Sequence, residues 1–208
     1  MSTNANSSRS NLIIGGLAAV IILELLAAWM TVAVYVKRDT SQFVMRTAGF
    51  LPIAKLGAYT INYGQFATTR EAIKHFLNSP SVKASGQVQA MTPAIEKSAY
   101  ERLLREAAGK ELAAEKKISV TSEDIDKAYA DFKVQASSTV PDVPKYIKET
   151  FDWNEQQYKD NVIRPQLLEE KLMGTFGTST DPAMQFEEYL GTRLQKPDVK
   201  RYLNFPTQ

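Results

Sequence analysis

The sequence predicts a mainly α-helical protein: one N-terminal transmembrane helix, then a multi-helix domain with a small two- or three-stranded sheet. Three observations carry this. Residues 12–36 are apolar apart from Glu24 and Thr31, and about 20 apolar residues suffice to cross a bilayer as a helix. Beyond residue 60, apolar side chains recur at the three- and four-residue spacing of a helix with one buried face. Helix-start signatures precede those stretches: Asn62 with Gln65, Thr92-Pro93, Thr121 with Asp124, Asn154 with Gln157, and Asp181-Pro182, each of which satisfies backbone N–H groups that a helix end leaves open.

Residues 1–11, polar and rich in Ser and Asn, read as a disordered tail. Residues 12–36 read as the span, with Trp29 and Tyr35 towards one end, where aromatic belts form. A cleaved signal peptide would have a shorter apolar core, roughly 7–15 residues. Residues 37–51 read as a juxtamembrane linker and 52–208 as the folded domain. Pro52 opens a short strand, Ile53–Leu56. Gly57 turns it, and Tyr59–Ile61 returns. A helix is expected from Tyr63 to Leu77, a loop over 79–91, and the longest helix from Pro93 to near Lys117. Ile125, Ala128, Tyr129 and Phe132 continue another helix. Pro141 and Pro144 mark a loop, and a short helix is expected near Lys145–Thr150. The helix after Asn154 meets Pro165, which removes one hydrogen bond and should kink or split it. Met184, Phe186, Tyr189, Leu190 and Leu194 form a last helix, which Pro197 stops. In "VKRYLNF" Val199, Leu203 and Phe205 fall on one strand face, with Arg201 the exception. Two short strands alone would be marginal in water, so residues 199–204 are expected to pair with them and close the domain.

Glu24 raises a question of its own, because it stands inside the apolar run. On a helix it shares a face with Ala27, Ala28 and Thr31. Small residues let helices approach closely and a polar group can be satisfied across the contact. The face therefore reads as a contact with a transmembrane helix partner; the competing reading is a lone carboxyl tolerated in one span.

Composition narrows the function classes. Lys and Arg number 25 against 23 Asp and Glu, and the balance stays near even after residue 40. A mixed surface of this kind argues against nucleic acid as a partner. There is no cysteine, which excludes a disulfide framework, a thiol nucleophile and a Cys-bound metal. No P-loop, dinucleotide fingerprint, paired-histidine zinc motif or nucleophile elbow is present. The single histidine, His75, sits on an amphipathic helix with no acid or nucleophile at suggestive spacing. Glu169-Glu170 and Glu187-Glu188 are adjacent pairs that splay apart on a helix and read as solvated faces. No cofactor or metal is expected, and the chain does not read as an enzyme.

The order of elements, and above all "ELAAEKKISVTSEDIDKAY" and "RPQLLEEKL", resembles the SurA N-terminal domain family of bacterial envelope chaperones, near its membrane-anchored PpiD and PrsA types. The likeness covers roughly residues 52–173. Many members carry a parvulin prolyl-isomerase domain after the last of these helices; only 35 residues follow Met173, so the resemblance implies the chaperone part alone. "ILELL" is also similar to the "LIELL" of type IV pilins, but the pilin glycine is missing before the cleavage point, where Ala19 stands. Lys37, Arg38, Arg46 and Lys55 come after the span and only Arg9 precedes it, which by the positive-inside rule would leave the domain in the cytoplasm. The resemblance implies the opposite: a domain tethered outside a bacterial cytoplasmic membrane. It further implies unfolded or exported polypeptides as clients, held in clefts lined by apolar and aromatic side chains. Candidates are Phe66, Phe76, Tyr100, Phe132, Phe151, Trp153 and Tyr158. The rival reading is a single-pass adaptor that docks one fixed partner of a membrane complex.

Overall fold

The computed structural model describes residues 22–86, 90–177 and 181–205. The expected tail and the first part of the expected span, 12–21, lie outside them. The described chain is mainly helical, with one small antiparallel sheet. Among the described residues no helix is long and apolar enough to cross a membrane.

The chain enters as a helix over 22–31, here α1, whose last turn, Val32–Val36, is wound as π-helix. Side chains from residue 22 to 29 are exposed, while Ala33 and Val34 are buried. The expected linker is not a plain tether. Ser41 accepts a hydrogen bond from the Val44 N–H and starts α2, Gln42–Ala48, whose Val44 and Ala48 enter the main core. The end of the apolar run and the segment after it are thus part of the domain.

The two-stranded turn forms as expected: β1, Pro52–Leu56, pairs antiparallel with β2, Tyr59–Asn62. Gly57 sits in the turn at φ +55°, a conformation that favours a residue without Cβ. On the other side of β1 lies β3, Lys200–Arg201, with Ala54 opposite Arg201 and Lys55 opposite Lys200. The sheet order is β2–β1–β3, so the chain end closes the domain as the alternating pattern of "VKRYLNF" predicts. Val199 and Leu203 are buried and Arg201 is exposed.

Helices α3, Tyr63–Leu77, α5, Pro93–Lys116, and α10, Pro182–Leu194, pack with the sheet around one core. The capping boxes at Asn62/Gln65, Thr121/Asp124 and Asn154/Gln157 all form. Gly64 at the start of α3 donates to the Gly49 carbonyl at 2.8 Å. A Cβ there would come 3.2 Å from that oxygen, so the glycine permits the close approach of α2 and α3. The expected loop over 79–91 contains a short helix, α4, Pro80–Ala84.

A second, smaller core lies under α6, Ser122–Ala136, α7, Val143–Phe151, and the rod that begins with α8, Glu155–Tyr158. That rod continues through a π turn, Lys159–Ile163, into α9, Arg164–Met173, and a short 3₁₀ turn, Gly174–Phe176. Ile125, Tyr129, Val143, Ile147, Trp153 and Ile163 are buried in it, with Ala72 reaching in from α3.

Candidate functional site

Pro165 is the residue from which the site grows. It lacks an N–H, so the carbonyl four residues earlier, Asn161, is left without its helical donor. The backbone widens into the π turn just before it, and the guanidinium of Arg102 on α5 donates to that freed carbonyl at 2.6 Å. The proline does not break the rod. It makes a docking point that holds α9 against α5. Arg102 also donates to Glu106 one turn on, at 3.0 Å.

Between α5, α9 and α10 this arrangement leaves a cleft of about 260 Å³. Its floor is apolar: Gly109, Leu172, Phe186, Leu190 and Leu168. Gly109 is buried in mid-helix, and a Cβ placed on it would meet Leu172 at 3.7 Å. The rim is charged and its arginines are paired, Arg102 with Glu106 and Arg105 with Glu187, while Lys110 and Glu169 also line it. Arg105 on α5 makes a two-pronged contact with Glu187 on α10, one prong 2.7 Å long. The contact holds the Glu187 carboxyl below the usual carboxylate range and raises the Arg105 guanidinium. Glu187 is therefore not simply a solvated face, as its neighbour Glu188 remains by exposure. Beyond the Arg105–Glu187 bridge lies a second hollow of about 440 Å³, walled by Tyr100, Leu104, Leu203 and Phe205.

Deeper in the same wall, α10 is tied down by Arg193, which is only 6% exposed. Its guanidinium donates to both oxygens of Glu111 on α5, one at 2.9 Å, and to both of Asp198, at 3.0 and 2.8 Å. These bonds raise the guanidinium pKa, with Glu111 the main cause. The cleft thus stands on helices locked by ion pairs at two levels.

The aromatic residues expected to bind clients divide into two groups. Phe66 and Tyr100 belong to the main core, at 0% and 3% exposure, and meet each other edge to face at 6.5 Å. Burial pushes the Tyr100 hydroxyl pKa up to about 12. Phe66 has no surface to offer, and Tyr100 offers only the edge that borders the second hollow. The other five come together in one run of rings. Phe76 stacks on Phe151, Phe151 on Trp153, Phe151 touches Tyr158, and Tyr158 stacks on Phe132. Trp153 is buried in this run, whereas Phe76 is 39% exposed and Phe132, Phe151 and Tyr158 are half-buried. Tyr129 ends the run, with the Lys133 and Lys159 ammonium groups over its ring at 5.0 and 4.9 Å. Val162 touches both this cluster and the cleft, so the two apolar surfaces meet at the π turn.

The cleft floor escapes sequence reasoning, because its parts come from helices far apart in the chain. Only "RPQLLEEKL" signals it, by placing a proline between apolar residues of one helix. Glu24, Ala27, Ala28 and Thr31 stand exposed on α1; the Thr31 hydroxyl donates to the Ala27 carbonyl at 2.8 Å, which satisfies it within its own helix. His75 lies 3.8 Å from the Asp152 carboxylate. Among the described residues no group of His, Asp and Glu is placed to hold a metal ion. Comparison with protein-family models, with curated proteins and with solved structures found no match. The likeness to the SurA N-terminal domain family therefore rests on the segments "ELAAEKKISVTSEDIDKAY" and "RPQLLEEKL" and on the order of elements around them.

Proposed function

We propose that this protein holds unfolded or newly exported polypeptides at the outer face of a bacterial cytoplasmic membrane. It is tethered there by the apolar run that begins at Leu12 in the sequence, and it has no prolyl-isomerase activity. The observation that carries the reading is the cleft between α5, α9 and α10: an apolar floor beneath a rim whose two arginines are already held by carboxylates. A surface of this kind takes apolar side chains without demanding a particular hydrogen-bond pattern, because burial of apolar area is non-directional. It therefore suits many sequences in turn. The half-exposed rings of Phe76, Phe151 and Tyr158 extend the apolar surface to a second face.

Micromolar affinity for aromatic-rich peptides, about 8 kcal/mol, fits such a holder. The test measures aggregation of an unfolded client and cis–trans exchange of a proline peptide, each with and without the purified protein. Slowed aggregation with unchanged exchange is expected. Aggregation that proceeds unhindered at equimolar protein, together with recovery of one partner at fixed stoichiometry from membranes, would establish the adaptor instead.

A further inference from the structure

We propose that α2 and the turn after it make a second, shallow membrane contact, with the outer face of α2 lying in the headgroup region of the bilayer beside α1. The inference rests on the proposed membrane tether and deepens it.

Helix α2 has two faces. Val44 and Ala48 point into the core at 1% and 0% exposure. Phe43, Thr47 and Phe50 fall on another side, within about one helical face of each other. Phe43 and Phe50 are 63% and 65% exposed, although the core that receives Val44 lies one residue away. The apolar surface they form is not isolated. The Phe43 ring lies 5.5 Å from the Trp29 ring, and Trp29 belongs to α1, where Ile22, Leu23, Leu25 and Leu26 are 64%, 64%, 67% and 45% exposed. In the sequence the same apolar run reaches back to Leu12.

Apart from Glu24 and Thr31, α1 exposes apolar side chains around its whole circumference, and such a surface needs an apolar surrounding. Tryptophan settles where hydrocarbon gives way to headgroups. Trp29 therefore sets the depth at which α1 leaves the hydrocarbon, and its ring contact places Phe43 at that same depth. Amphipathic helices of this kind bury their apolar face roughly 5–10 Å into the interface. Arg46 on α2 and Lys37 at the end of α1 supply cations for lipid phosphates, whereas Arg38 is already taken by Glu96 at 3.1 Å. The occupant of this face is the bilayer that receives α1.

The chain has no cysteine, so single probe sites are simple to make. The full-length protein carrying T47C, or S137C as a control on the far end of α6, is labelled with an environment-sensitive fluorophore. It is reconstituted into phosphatidylcholine–phosphatidylglycerol vesicles that contain a shallow spin-labelled lipid. The T47C label should shift to the blue and lose fluorescence to the spin label, and the S137C label should do neither. Adding F43S and F50S should abolish the quenching at T47C while the protein still floats with the vesicles. Equal quenching at both sites in protein that floats would overturn this inference and leave the tether standing. Protein that does not float at all would overturn both. A T47C label shielded from water but unquenched by lipid, with T47C chains that crosslink on oxidation, would assign the face to a second copy and overturn the lipid contact.

Discussion

Gly109 is the position at which stability and binding should part. It lies in the middle of α5 and is buried against the cleft. Glycine there costs the helix about 1 kcal/mol relative to alanine, through the extra freedom of the unfolded chain. The space for a methyl group exists, because the nearest atom to an added Cβ is Leu172 Cδ1 at 3.7 Å, an ordinary van der Waals contact. Gly109→Ala should therefore stabilise the protein by about 1 kcal/mol, which for a chain of this size raises Tm by roughly 2–4 °C. The same methyl group projects from the cleft floor, where a client would otherwise bury a group of that size. One lost methylene contact is worth about 0.8 kcal/mol, so affinity for an aromatic-rich peptide should fall about fourfold. Circular dichroism melts of the full chain read the first effect, and anisotropy of a labelled peptide reads the second. A lowered Tm would show that the space beside Leu172 is filled and that the floor is wrongly placed. An unchanged affinity, in a variant that gains stability, would remove the cleft as the client site.

Three further outcomes are expected. Deleting residues 199–208 removes β3 together with buried Val199 and Leu203; at about 1.5–3 kcal/mol for each buried side chain, Tm should drop by roughly 6 °C or more, and a truncated protein that melts like the whole would refute the closing role of the strand. Lys117 ends α5 in the left-handed conformation at φ +57°, which costs a residue with a Cβ about 1 kcal/mol, so Lys117→Gly should raise stability by up to that amount in urea denaturation. Carboxyls with partners sit below their ordinary range: Asp124 through Lys171, Asp152 through Lys148, Asp160 through Gln156, Asp198 through Arg193 and Glu187 through Arg105; a lowered folded pKa stabilises above the unfolded value and is lost as pH falls through the folded one, so stability should hold from about pH 8 to 5 and decline below about pH 4, and a decline that began near neutrality would count against these pairs.

The legible parts of the fold are those whose signals are local. Thr92-Pro93 and the pairs Thr121/Asp124 and Asn154/Gln157 fix helix starts because the groups that satisfy the backbone lie within three residues. The pairing of β3 is also legible, since alternation in "VKRYLNF" shows a strand with one buried face and the other described strands stand near residue 55. Helix α2 escapes a sequence reading although Ser41 caps it, because an apolar run on one side and a strand on the other make residues 37–51 read as a connection. The aromatic residues show the limit most plainly. Phe66 and Phe76 both lie on α3, ten residues and so about 80° apart around the helix. That angle separates a ring at 0% exposure from one at 39%. Which side faces the main core depends on α5, the sheet and the chain end, and none of these is near in sequence. The cleft is hidden for the same reason: Gly109, Leu172 and Phe186 meet only once α9 docks through Arg102 on the Asn161 carbonyl.

The position of β3 also orders events in time. Its partner residues on β1, Ala54 and Lys55, are made long before Lys200 and Arg201. At a synthesis rate of roughly 5–20 residues per second the edge of β1 waits some 7–30 s for its neighbour. Throughout that interval β1 presents an unpaired edge, the kind of edge to which foreign strands add. Once α10 is made, the hollow walled by Tyr100, Leu104 and Leu194 still lacks Leu203. A nascent copy is thus itself a sticky chain until β3 arrives, and synthesis that stops after α10 would leave a product with the described helices in place and the edge uncovered. Proteases that cut at frayed sheet edges would see the difference between a finished molecule and an interrupted one.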